Sequence, residues 1–193
     1  DVVTEAYDGL PGVLGPREEA RYFSRIWCGP RALSFRPAMD QRIYKLDQLT
    51  EPDPWPDGIM RPALEVDKPL ILDWLRRFFE ETHMPVSNAQ DVTDRLVPEG
   101  SMFLWDVGGT AVSMAGVTGR TPNGVRIGFV YTPVEERQKG YGTAITAALT
   151  KSVLDQGKKF CFLFTDASNP TSNSIYRALG YHPVADVVDY QFF

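Results

Sequence analysis

The chain is poor in the residues that build metal or disulfide frameworks: it has two cysteines and two histidines in 193 residues. Neither Cys28 nor Cys161 has a Cys or His neighbour at metal-ligand spacing, so the pattern predicts no zinc site and no disulfide framework. Cys161 lies in the apolar run Phe160-Cys161-Phe162-Leu163-Phe164 and reads as a buried small hydrophobe. No uninterrupted apolar stretch reaches the length of a membrane span. Asp1 to Ala6 do not resemble a signal peptide, and an initiator Met is lacking. The chain is therefore expected to begin inside a longer protein, with the cytoplasm as its default location. Excess positive charge is lacking too. The formal net charge is −5, which counts against a nucleic-acid partner but leaves room for a local basic patch around a small anion.

What is present is ordinary globular composition, 43% hydrophobic and 23% charged, which argues against disorder. The chain divides near Leu49 to Gly58, a stretch with three prolines and a glycine and no period. Prolines so close together exclude helix and sheet interiors, so residues 50–59 read as a linker or a strap over the surface. A regular pattern follows. Met60 to Leu64 reads as a short strand. Asp67 can cap a helix with Pro69 in its first turn, and Leu70, Ile71, Trp74, Leu75, Phe78 and Phe79 recur at helical spacing to about Thr82. Ser87 to Leu96 can form a second, more polar helix. Ser101–Asp106, Thr110–Thr118 and Val125–Tyr131 read as three strands. The turns Gly108-Gly109 and Thr121-Pro122-Asn123-Gly124 join them into an antiparallel meander. Gly140 to Gln156 is a helix ended by Gly157. Phe160 to Thr165 is an apolar strand suited to a central position, Ser172 to Leu179 a helix closed by Gly180, and Tyr181 onward extended. The order β-α-α-β-β-β-α-β-α-β predicts an α+β fold, a mixed sheet with helices on its faces.

The segment Arg137-Gln138-Lys139-Gly140-Tyr141-Gly142 lies between a predicted strand and a predicted helix. The first N–H groups of a helix have no internal partner, and the helix dipole puts positive charge there. Glycine lets a ligand approach the backbone closely, and Arg137 and Lys139 add charge that attracts phosphate. The physics is that of an anion cradle, although glycines before a helix are often loop chemistry alone. No Gly-Lys-Ser/Thr follows, so it is not a P-loop, and an antiparallel meander precedes it, so it is not a dinucleotide fingerprint.

This segment resembles the acetyl-CoA signature of the GNAT acetyltransferase superfamily, Arg/Gln-x-x-Gly-x-Gly/Ala. Gly128-Phe129-Val130-Tyr131-Thr132-Pro133 occupies the place of the family's fourth strand. Downstream, Asn169, Ser172, Ile175, Tyr176, Gly180 and Tyr181 fall on its second signature. The resemblance covers roughly Met60 to Phe193. It implies the GNAT fold, a mixed and mostly antiparallel sheet with helices on both faces. It also implies acetyl-CoA as acyl donor, with no metal, and a primary amine of a small molecule or peptide as acceptor. No membrane partner is implied, and a homodimer is left open.

The resemblance further implies a site. The pantetheine arm would bond the backbone of Phe129, Val130, Tyr131 and Thr132, much as an added strand would. The pyrophosphate would sit on the N–H groups of Gln138 to Thr143, with Arg137, Lys139, Gly140, Tyr141 and Gly142 completing the cradle. Asn169 and Ser172 would hold the cofactor arm, or Asn169 would only start a helix before Pro170. Tyr176 would protonate the departing coenzyme A thiolate, or be a core tyrosine. The two roles are compatible. The general base stays open. No acid lies between Gly128 and Thr132, where family enzymes often carry Glu, which leaves Asp166, Glu135, Glu136, His83 or a bound water. Trp74, Phe78, Phe79 and Trp105 would line the acceptor site or form core.

Residues 1–49 carry a helix candidate, Arg17 to Trp27, and a strand candidate, Arg42 to Leu46. Pro16, Tyr22 and Trp27 repeat the spacing of Pro170, Tyr176 and Tyr181, which suggests the tail of a degenerate second GNAT-like repeat. The alternative is an extension that covers the sheet. The expected organisation is thus 1–49 as a partial segment, 50–59 as a linker and 60–193 as the acetyltransferase domain.

Overall fold

A computed structural model of the chain describes residues 7–193, so the opening segment Asp1 to Ala6 lies outside the described residues. The strands are β1 Gly12–Pro16, β2 Phe35–Leu46, β3 Ile59–Pro62, β4 Met102–Val107, β5 Thr110–Arg120, β6 Gly124–Tyr131, β7 Phe160–Asp166 and β8 His182–Phe192. The helices are α1 Arg17–Cys28, α2 Lys68–Glu81, α3 Asn88–Leu96, α4 Tyr141–Asp155 and α5 Pro170–Ala178. From Met60 onward the order of elements is the one the sequence predicts, and the fold is an α+β mixture of mostly antiparallel strands with helices. The chain forms two compact units. The first comprises the described residues up to Tyr44 with Phe164–Ser174 and His182–Phe193; the second comprises Lys45–Leu163 and Ile175–Tyr181.

In the second unit the strand order is β7-β6-β5-β4-β3. β3 to β6 are antiparallel, and β6 runs parallel to β7 through Gly124–Phe160, Val125–Cys161 and Arg126–Phe162. Val112 to Val117 of β5 are all buried. Successive strand side chains face opposite ways, so such a run requires cover on both faces. The apolar side of α2 and α3 supplies one cover: Ile71, Trp74, Leu75, Phe79, Ala89 and Leu96 close on Met102, Leu104 and Met114. α4, with Ala144, Ile145, Ala147, Leu149 and Val153 buried, packs on β4, β5 and β6.

Asp67 stands at the N-cap position of α2, with Pro69 in the first turn as expected, but its side chain does not cap that helix. Its carboxylate instead accepts the Leu64 N–H at 2.8 Å and two bonds from Arg61, at 2.7 and 3.0 Å. Arg61 also reaches Asp106 at 3.1 Å, tying β3 to β4 and to the start of α2.

The proline-rich stretch, read from the sequence as a linker or a strap, is bonded at each end. Thr50 N–H donates to the Leu179 carbonyl at 3.0 Å, and Glu51 meets Lys151 of α4 at 3.3 Å. Trp55 stacks on Trp105 with ring centroids 6.2 Å apart, and the Trp105 indole N–H donates to the Asp57 carbonyl at 2.9 Å.

In the first unit the order is β1-β8-β2. β1 runs antiparallel to β8 from Gly12–Gln191 to Pro16–Val187. α1 spans Arg17 to Cys28, the predicted helix, and its Ala20 packs with Val188 and Tyr190, flanked by Val13, Phe35 and Phe192. β2 is longer than the predicted Arg42–Leu46, and β1 is absent from the sequence reading. A helix does lie on a strand pair here, but one strand of that pair is β8, from the end of the chain. The repeat stays a proposal.

Candidate functional site

The segment from β6 to α4 is shaped by two departures from regular backbone. In the β5–β6 ladder Gly116 pairs with Gly128 and Met114 with Tyr131, so Phe129 and Val130 stand opposite Ala115 alone. Phe129 carries the bulge at φ 52°. A side chain in that region costs about 1 kcal/mol or more. Edge-on contacts of its ring with Phe78 and Phe79, at 5.9 and 5.8 Å, offset it. The three β6–β7 pairs end at Arg126, and β6 runs on to Tyr131 beyond them. The Tyr131 carbonyl accepts the Ser113 hydroxyl at 2.9 Å, and the Thr132 carbonyl accepts Arg137 Nε at 2.9 Å.

The second departure opens α4. Gly140 is its N-cap, at φ 83°, a left-handed conformation that glycine adopts without strain. No side chain caps this helix end. The Ala144 N–H bonds the Gly140 carbonyl at 2.9 Å, the first bond of the helix, so the N–H groups of Tyr141, Gly142 and Thr143 have no helical partner. Gly142 lies tight against β6: a Cβ there would stand 3.2 Å from Thr132 Oγ1, itself 2.9 Å from Ser113 Oγ. Pro56 of the strap packs at 3.7 Å from where a Gly140 Cβ would be. No side chain caps these donors, an arrangement that suits an anion.

The two cations of the loop have partners. Arg137 Nη2 lies 2.7 Å from each Glu81 carboxylate oxygen, with its guanidinium 5.7 Å over the Tyr131 ring. Lys139 Nζ lies 2.8 Å from Glu136 Oε2. Gln138, with φ 65°, and Lys139 are exposed, while Tyr141 to Thr143 are half-buried. Glu81 and Ser113 are absent from the sequence reading, and Pro56 appears there only as a proline of the linker. Glu81 shows there only as the last polar residue of a helix, and Ser113 as one small residue of a strand.

Tyr176 is buried, 8% exposed, and its ring meets Tyr181 edge-on at 6.0 Å. Burial pushes its phenol up to about 12. Tyr181, which shares a 2.6 Å hydrogen bond with Thr150, is pushed higher still by burial. Cys161, free and buried, rises to about 12 for the same reason. Trp74, Phe79 and Trp105 are buried in the core, and Phe78 packs against it. His83, exposed after α2, and Glu135, exposed before the cradle, stand on the surface.

In the first unit Asn169 Oδ1 accepts the Ser172 N–H at 3.1 Å, and the Asn169 carbonyl accepts the Asn173 N–H at 3.2 Å. This is the helix-start turn, with Asn169 as its capping residue. Asp166 Oδ1 accepts both the N–H and the hydroxyl of Ser168, at 2.8 and 2.7 Å. A concavity of about 190 Å³ in this unit is lined by Arg17, Asp40, Ala167, Asp186, Val187 and Val188. Its charged side chains are paired, Arg17 with Asp40 and Asp186 with Arg42 outside the lining, and it is too small to hold a coenzyme. Among the described residues no cluster of His, Cys, Asp and Glu could hold a metal, and no helix is long and apolar enough to cross a membrane.

No curated protein matches the chain. Among solved structures it is similar to an acetyltransferase from the GNAT family of Colwellia psychrerythraea, with TM-score 0.65, 15% identity, and coverage of 94% of this chain and 65% of that one. A GCN5-related N-acetyltransferase from Sphaerobacter thermophilus aligns with TM-score 0.67 and 17% identity over 99% of this chain and 63% of its own. Another, from Kribbella flavida, gives TM-score 0.62 and 19% identity over 87% and 63%. The chain thus spans less than two thirds of the length of these structures. At such identities they bear on the fold, and it is the same fold. The model of the acetyltransferase (GNAT) family matches residues 68–181, more than half of the chain and the whole stretch from α2 to Tyr181, so the chain belongs to the acetyltransferase (GNAT) family.

Proposed function

We propose that the chain transfers acetyl from acetyl-CoA to a primary amine by direct attack of the amine within a ternary complex. The observation that carries this reading is the N-terminus of α4, free of side-chain caps and reached from a bulged β6. The N–H groups of Gln138 to Thr143 would hold the pyrophosphate, and the backbone from Phe129 to Thr132 would bond the pantetheine arm. Acetyl-CoA supplies the activated acyl group. Tyr176 keeps its proton at any physiological pH, since burial raises its phenol to about 12. It is therefore suited to donate from Oη to the departing sulfur.

A second reading has its own support. β6 carries no carboxylate from Gly128 to Thr132, and Asp166 is engaged by Ser168. A domain that binds an acyl-CoA without turnover, or one that transfers a longer acyl group, would fit that. Thermal denaturation with saturating acetyl-CoA tests the first step. At a hundredfold excess over Kd the expected stabilisation is about 2.7 kcal/mol, and none at all would sink both readings. Acetylation of any member of a broad amine panel, slowed in Tyr176→Phe, supports transfer. Binding without acetylation across that panel favours the non-catalytic module.

A further inference from the structure

Both cations of the cradle loop are engaged with carboxylates. Arg137 meets Glu81 with both contacts at 2.7 Å, and Lys139 meets Glu136 at 2.8 Å. The carboxylates come from different places. Glu81 ends α2, 56 residues away in sequence, whereas Glu136 is in the loop itself. Neither pair is deep, since the Arg137 and Lys139 side chains are 41% and 50% exposed. Around the loop, Glu135 faces a third cation, Arg77, which is itself paired with Asp73 at 2.9 Å, so every cation there has a carboxylate beside it. Such a balance works against a polyanion, which unpaired Arg and Lys would bind more strongly.

The chemistry of turnover gives this balance a use. The phosphate end of the coenzyme is the same in the acetylated donor and in the free thiol that leaves. Attraction to that end tightens both equally and does nothing for the chemical step. Resting on the acetyl-CoA reading, we propose that Glu81 and Glu136 are affinity-setting residues of the cradle. Each holds a loop cation in an ion pair with which the pyrophosphate has to compete. They are positioning residues: Glu81 acts through Arg137, and Glu136 through Lys139. Arg137 stays folded back on the Thr132 carbonyl while Glu81 holds it.

Calorimetric titration of CoA into the wild type, Glu81→Gln, Glu136→Gln and Glu81→Asp tests this. Gln keeps the shape and a hydrogen-bond acceptor but removes the charge. Each Gln variant is expected to bind CoA roughly two- to fivefold more tightly at low salt, the range that an exposed ion pair is worth. The gain shrinks as salt is raised. Glu81→Asp, which keeps the charge, stays near wild type, and KM for acetyl-CoA falls in the Gln variants without a rise in kcat. Unchanged or weaker CoA binding in a Gln variant that melts with the wild type overturns the assignment of that residue and leaves the acetyl-CoA reading standing. A wild type that does not bind CoA overturns both.

Discussion

The Thr150 hydroxyl and the Tyr181 phenol oxygen lie 2.6 Å apart inside the second unit, with Thr150 fully buried and Tyr181 nearly so. Each is the other's polar partner. Thr150→Val keeps the volume and strands the phenol, so it is expected to cost about 1–3 kcal/mol. Tyr181→Phe strands the threonine in the same way. The double variant removes both groups and is expected to lose less than the sum of the two single losses. Urea unfolding of the three variants measures this coupling, and strictly additive losses would show that the bond contributes nothing.

Gly142 offers a different trade. Alanine is the better helix former by about 1 kcal/mol, but its methyl would stand 3.2 Å from a Thr132 hydroxyl already held by Ser113. Gly142→Ala is therefore expected to leave the melting temperature within a few degrees. It is expected to weaken CoA binding at least threefold, roughly 0.7 kcal/mol, by moving the end of β6 against the first turn of α4. Equal affinity for CoA in a stable variant would count against a cradle at this turn.

Acid should act through Asp67. Hydrogen bonds from Arg61, opposed by burial and joined by the Leu64 N–H, hold its carboxyl below the ordinary carboxylate range. A lowered folded value means that the stabilisation is complete above the unfolded value, about 4. It is then lost as pH falls through the folded value. Asp67→Asn is expected to lose about 1 kcal/mol at pH 7, because Arg61 is partly exposed and screened. It should also flatten the fall in stability below pH 4. Parallel stability curves for wild type and variant across that range would refute the role.

Base should act through the tyrosines. Tyr176 sits at about 12, above the ordinary phenol value of about 10. Its protonated form is favoured in the folded state, so its contribution is complete below pH 10 and lost as pH rises towards 12. Tyr176→Phe is expected to soften the alkaline loss of stability. On the proposed acetyl-CoA reading, transfer by the wild type should show no falling limb from this phenol below pH 10. Such a limb, moved or abolished in the variant, would mean that Tyr176 ionises earlier than its burial implies.

The second unit was nearly all legible because its signals are local. The Leu70–Phe79 spacing, the Gly108-Gly109 turn and Gly157 each act within a few residues. The glycine N-cap of α4 was legible for the same reason. What escaped the sequence depends on partners far along the chain. β1 is a Gly- and Pro-containing pentapeptide that becomes a strand by pairing with β8. The front half of β2 contains Pro37, which reads locally as a break. Glu81 and Ser113 carry no mark of their own, and their contacts arise only when α2 and β5 come against the end of β6. Asp67 was assigned to the right position with the wrong partners, because the nearby Arg61 offers its carboxylate a stronger bond than the helix N–H groups do.

β8 lies between β1 and β2 in the first unit, and Phe193 exchanges hydrogen bonds with Ser34 at 2.8 and 3.0 Å. During synthesis the residues of β1 and β2 leave the ribosome long before those of β8. They must wait with open backbone edges while some hundred and forty residues are added. The first two described strands are therefore among the last of the described ones to be completed. A ribosome stalled short of His182 would display two unpaired strand edges to any neighbouring chain.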